Sequence, residues 1–114
     1  TDVAGGANLS MLRALTDAIA VSKLRWRIMD ETLRPLCFEE AFYLATKGGG
    51  SFFGNVGSFE EGYEADILVL SGRRESVREQ GIRERLEQLV YLGGEGTRLR
   101  AKFVAGREIA LGAV

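Results

Sequence analysis

No histidine occurs anywhere in the 114 residues. Nucleophilic triads and dyads that rely on an imidazole base are therefore excluded. Metal hydrolases usually hold their ion with several imidazole, carboxylate or thiolate donors, and here only carboxylates and one thiol are on offer. A catalytic role thus needs residues from another chain or chemistry run by carboxylates. The single cysteine, Cys37, excludes an internal disulfide and fits a reducing compartment such as the cytoplasm. Proline occurs once, at Pro35. No run approaches the roughly 20 apolar residues of a membrane-spanning helix, and no signal-peptide pattern opens the sequence. The net charge of -1 shows no excess of one sign, so a general nucleic-acid footprint is not expected.

What is present is ordinary for one modest globular domain: 46% hydrophobic and 27% charged residues. Residues 1–7 read as a loop around Gly5 and Gly6. Asn8 or Ser10 can cap a helix starting near Leu9, and Leu12, Leu15, Ile19 and Trp26 continue it at helical spacing to about Ile28. A connector with Pro35 leads to a second helix over 38–47, with Glu39 and Glu40 in its first turn. Gly48 is its expected stop, and a short helical piece at 51–53 ends at Gly54. Asp66 to Leu70 predicts a strand so uniformly apolar that burial on both faces is expected. Ile82 to Leu92 predicts a helix with Ile82, Leu86, Leu89 and Val90 on one side. Leu99 to Val104 and Glu108 to Leu111 predict a hairpin around Ala105-Gly106-Arg107. So few strands leave open sheet edges, which folded proteins avoid. The missing cover is expected from an upstream segment. No internal repeat or low-complexity tract is visible.

Each chemically suggestive residue has a plainer reading beside it. Asp2, before Val3-Ala4-Gly5-Gly6, reads by itself as a turn or helix cap. Gly48-Gly49-Gly50 could cradle a phosphate, but no Lys-Ser/Thr ending follows, so a helix stop with tight packing is favoured. Cys37 stands at a helix start, where a thiol can ionise more easily, yet without an imidazole base it reads as a stand-in for Ser or Thr at a cap. Glu39, Glu40, Glu60, Glu61, Glu64 and Asp66 read as surface and helix-dipole residues. Arg98, Arg100 and Lys102, with Arg107 beyond, form a basic stripe. Strand alternation would put the first three on one solvated face.

Taken together, several segments resemble guanine deaminases of the amidohydrolase superfamily. Thr1-Asp2-Val3-Ala4-Gly5-Gly6 with Leu9-Ser10-Met11-Leu12-Arg13-Ala14-Leu15 is similar to the stretch after that family's eighth barrel strand. Glu40-Ala41-Phe42-Tyr43-Leu44-Ala45-Thr46-Lys47-Gly48-Gly49 is similar to the helix that follows. Val56-Gly57-Ser58-Phe59-Glu60-Glu61-Gly62-Tyr63-Glu64-Ala65-Asp66 resembles the return into a small β domain, and Val104-Ala105-Gly106-Arg107-Glu108-Ile109 its closing hairpin. The resemblance implies an α/β fold: residues 1–55 as the C-terminal end of a metal-dependent (β/α)8 barrel, and residues 56–114 as part of a composite β sandwich. It implies Asp2 as both a zinc contact and the proton acceptor from the metal-bound water. It also implies a cytoplasmic homo-oligomer that turns guanine into xanthine and ammonia. The family's histidine ligands and catalytic glutamate lie upstream of the Thr-Asp motif, so this chain by itself is expected to be inactive. Cys37 departs from the family's usual hydroxyl residue, which affects capping by about 1 kcal/mol. Two alternatives stand beside this reading: another amidohydrolase, such as a chlorotriazine hydrolase or a different aminohydrolase, or a non-catalytic module that self-associates.

Overall fold

The computed structural model describes residues 6, 8–72 and 81–111. They form two compact units, Thr1–Phe42 with Ser76–Glu95 and Tyr43–Glu75 with Gly96–Val114.

The first unit is helical. Helix α1 spans Met11–Ile28, two residues later than the expected start at Leu9. Ser10 sits in extended geometry before it, and its Oγ accepts the Arg13 N–H at 3.3 Å. Asn8 caps one step earlier, its Oδ1 accepting the Ser10 N–H at 2.9 Å. Both residues proposed as caps therefore satisfy amides that a helix start leaves free. Helix α2 spans Phe38–Tyr43, and helix α3 spans Ile82–Tyr91. Helices α1 and α3 pack together. Leu15 and Ile19 of α1, Phe38 and Ala41 of α2 and Val90 of α3 are the buried apolar side chains among the described residues. Of the expected α3 face, Val90 is buried, Leu86 and Leu89 are half-buried and Ile82 is exposed. The connector is fastened to α1 by Ser22, whose Oγ accepts the Leu36 N–H at 3.0 Å.

The second unit begins where α2 widens into a π-helical turn at Leu44–Gly48. Gly48 does not stop the helix. Gly49 and Gly50 keep right-handed helical angles, and the chain runs on into a 3-10 turn at Ser51–Phe53 before Gly54, at φ 113°, ends it. Close packing is what the glycines supply. A Cβ on Gly50 would lie 2.7 Å from the Val56 carbonyl oxygen, and one on Gly57 would lie 2.6 Å from the Thr46 carbonyl. Hydrogen bonding of the end carbonyls outweighs the weak helix propensity of glycine when no side chain would fit anyway.

Strand β1, Ile67–Ser71, pairs antiparallel with β2, Arg98–Val104, which pairs with the short β3, Arg107–Glu108. The sheet order is β1-β2-β3, so one edge of β1 has no partner among the described residues. Burial of β1 on both faces is not met: Leu68 is 60% exposed and Val69 42%. Among the described residues β1 pairs with β2 alone, and its uniform apolar run is not matched by cover. The basic stripe is also rearranged. Val69 faces Ala101 while Leu70 faces Leu99, so Arg100 is an extra residue in a bulge. Lys102 therefore shares a face with Leu68, and Arg98 shares the opposite face with Ser71. The hairpin loop is shorter than expected. Ala105 and Gly106 both have positive φ, 48° and 74°, as a two-residue type I′ loop requires. Arg107 is already in β3, and β3 ends at Glu108, short of Leu111.

Gly57 and Gly62 separate crowding from backbone strain, since both have positive φ (79° and 86°) but nothing lies within 4 Å of a Cβ on Gly62. Gly62→Ala should lower stability by about 1–2 kcal/mol, the strain of a left-handed residue. Gly57→Ala should lower it by about 3 kcal/mol or more, because backbone must move as well. Urea unfolding of the two variants checks the difference.

Candidate functional site

Asp2, the one residue singled out for catalysis and metal contact, lies outside the described residues. Among the described residues, no group of three or more Cys, Asp or Glu side chains is placed to hold a metal ion, and the sequence adds no histidine. A single carboxylate does not make a zinc site. The donor set among the described residues therefore does not fit a complete metal centre.

A cluster of charged groups surrounds the start of α2. Glu40 accepts two hydrogen bonds from the Arg34 guanidinium, one at 3.0 Å, and its Oε2 also accepts the Cys37 N–H at 3.0 Å. That last bond is half of a capping box, with Cys37 in the place of Ser or Thr. One residue earlier, Glu39 accepts from Arg83 Nε of α3 at 2.5 Å. Arg83 also bonds Glu87 one turn on, at 3.0 Å. The guanidinium hydrogen bond from Arg83 is the main cause that holds Glu39 down at about 2, against an ordinary 4.5. The Arg34 bond, followed by the Cys37 amide, does the same for Glu40, also to about 2. Carboxylates so firmly ionised are poor proton shuttles near neutral pH, where a useful acid or base titrates close to the working pH. They are ion-pair fixtures joining α2 to the connector and to α3. Cys37 is exposed and belongs to this fixture.

In the second unit, Lys47 Nζ reaches both Glu60 carboxylate oxygens, at 2.6 and 2.7 Å, and lies 5.1 Å from the Tyr63 ring centroid. The Glu60 hydrogen bond raises the Lys47 pKa above its ordinary value. The loop from 55 to 64 closes on itself, since Glu64 N–H donates to the Asn55 carbonyl at 2.8 Å. Lys47 ends the helix expected over 38–47, and nothing in the local sequence signals this clip. Thirteen residues separate Lys47 from Glu60, and no local periodicity links them. Asp66 also gains a role that surface placement did not suggest. Its Oδ1 accepts the Ala105 N–H at 2.8 Å, and the Ala65 carbonyl accepts the Gly106 N–H at 3.0 Å. The Ala-Asp pair thus seats the tip of the hairpin and supports Ala105 in its left-handed conformation. Arg100 Nε donates to Ser71 Oγ at 2.8 Å across the bulge.

These groups are structural, and they do not assemble a nucleophile, a base and a binding pocket. What they build is a scaffold whose type the comparisons with known proteins define. The amidohydrolase family model matches residues 1–106. This chain belongs to the amidohydrolase family.

Within that family it is similar to guanine deaminases. The enzyme of Mus musculus is 41% identical over 76 residues, covering 64% of this chain and 16% of the relative. That of Dictyostelium discoideum is 26% identical over 117 residues, covering 96% of this chain and 26% of the relative. The crystal structure of guanine deaminase from C. acetobutylicum, with guanine bound in its active site, superposes with a TM-score of 0.83. It is 40% identical, and the match covers 96% of this chain and 26% of that one. The chain thus spans between about a sixth and a quarter of the length of these relatives.

A carboxylate whose pKa is lower in the folded chain than in the unfolded one favours folding above its unfolded value and loses that contribution as pH falls toward its folded value. Glu39 and Glu40, moved from 4.5 to about 2, therefore support the fold at neutral pH and lose that support between about pH 4.5 and pH 2. Thermal melts across that window should show a small fall, since solvent screens exposed pairs of this kind. The double variant Glu39→Gln, Glu40→Gln should melt lower at pH 7 and show a shallower acid dependence.

Proposed function

We propose that this chain is the C-terminal part of a longer zinc-dependent aminohydrolase that converts guanine to xanthine and ammonia. The carrying observation is the match, over nearly the whole chain, to a guanine deaminase crystallised with guanine. Residues 1–55 would close its barrel, and residues 56–114 would contribute to a β sandwich completed by another part of the same protein. The second unit supports that reading, since none of its described apolar side chains is fully buried.

Asp2 is the residue of this chain proposed to reach the reacting centre. A carboxylate there can accept a proton from the attacking water. The remaining metal donors, the substrate pocket, a homo-oligomeric state and a cytoplasmic location belong to the same proposal and fall to the rest of the protein. Among the described residues, no helix is long and apolar enough to cross a membrane.

The test is guanine deamination, followed by loss of absorbance as xanthine forms. This chain alone should be inactive, and mixing it with the separately expressed upstream segment should restore turnover. In the reconstituted enzyme Asp2→Asn should lower kcat by about 10²–10⁴-fold with the fold intact. Full turnover by the Asn variant would reduce Asp2 to a cap. An assembled but inactive mixture would point to another aminohydrolase substrate.

A further inference from the structure

Ala105 is the one non-glycine residue with positive φ among the described residues, at 48°. Two-residue loops of this kind favour Asn, Asp or Gly at that position, because a Cβ in the left-handed region crowds the following carbonyl. Such strain persists only where the surroundings over-determine it. The hairpin itself supplies little, since β3 is only Arg107–Glu108 and both residues are exposed. The support comes from Asp66, 39 residues earlier in the chain. Its Oδ1 accepts the Ala105 N–H at 2.8 Å, and the neighbouring Ala65 carbonyl accepts the Gly106 N–H at 3.0 Å. From there an unbroken path of short contacts runs back to the helix end. Asp66 N–H donates to the Glu64 carbonyl at 2.9 Å, Glu64 N–H to the Asn55 carbonyl at 2.8 Å, and Tyr63 N–H to the Glu60 carbonyl at 3.2 Å. The Glu60 carboxylate is gripped by Lys47 Nζ at 2.6 and 2.7 Å.

We propose that residues 55–66 are a strap that holds the strained hairpin tip shut from the end of the π-helical turn, with the Lys47–Glu60 clip as its fastening. With the clip closed, Asp66 and Ala65 stand where the Ala105 and Gly106 amides need acceptors. With the clip open, the strap loses that anchor, the two acceptors shift, and Ala105 leaves the left-handed region. The pairing of Arg107 and Glu108 with β2 loosens with it, because the tip sets their register. The fastening is releasable: the Lys47 and Glu60 side chains are 33% and 60% exposed, so salt weakens their attraction.

Amide hydrogen exchange in the whole protein tests the strap. Lys47→Met and Glu60→Gln should each speed exchange at Ala105 and Gly106 by about two- to fivefold, the scale of a partly exposed ion pair. Combining them should add nothing further, and high salt should reproduce the effect in the unaltered protein. The Ala41 amide, bonded to the Cys37 carbonyl at 3.1 Å in the first unit, is the reference and should keep its rate. Ala105→Gly, which removes the strain, should return the tip of the Lys47→Met variant to at least its original protection. Unchanged exchange at the tip in both clip variants would overturn the strap. A parallel rise at Ala41 would mean that the clip serves overall stability, and would overturn it too. Additive effects of the two clip variants would overturn the ion pair as the fastening. Faster exchange in Ala105→Gly would overturn the strained tip.

Discussion

Burial of apolar surface is the constraint on which everything else here depends, and it is met very unevenly. Leu15, Ile19, Phe38, Ala41 and Val90, from three helices, are the whole buried core of the described residues. All five lie in the first unit. Around them the polar contacts make sense as fasteners: Glu39 to Arg83, Glu40 to Arg34, Ser22 to the Leu36 amide. Exposed ion pairs of this kind add little stability one by one. Their value lies in fixing how short helices meet around a core too small to specify the arrangement alone.

The second unit is organised by close approach of backbone and not by a core. A π-helical turn, three glycines in a helical path and a loop closed by Lys47 and Glu60 bring the backbone at Thr46 against Gly57. Such a connector delivers the chain to β1 along a defined path. The sheet it enters has its apolar residues Leu68, Leu70, Leu99 and Val104 substantially exposed. Its composition suits burial on both faces, and among the described residues that burial is not met.

Titratable residues are numerous, and several of the described ones serve architecture. Glu39 and Glu40 are held ionised by guanidinium groups, Lys47 is held protonated by Glu60, and Asp66 holds a turn. A family can place its chemistry elsewhere in the chain and still leave its mark here, because the scaffold that aims catalytic groups must itself be built accurately.

The sequence by itself determined the helices, the caps at Asn8 and Ser10, the strand after Asp66 and the family. These depend on local spacing, on short-range hydrogen bonds and on motifs readable in order along the chain. The absence of histidine was legible at once and excluded imidazole chemistry from this chain. Only the tertiary structure decided that the helix continues through Gly48, that a bulge at Arg100 splits the basic stripe between two faces, and that Lys47 clasps Glu60. Each turns on a contact between residues far apart in sequence, or on one extra residue in a strand. Local propensity has no term for either. Burial of β1 could not be read from composition for the same reason: an apolar strand declares that it wants cover, but only the fold shows whether the cover is there.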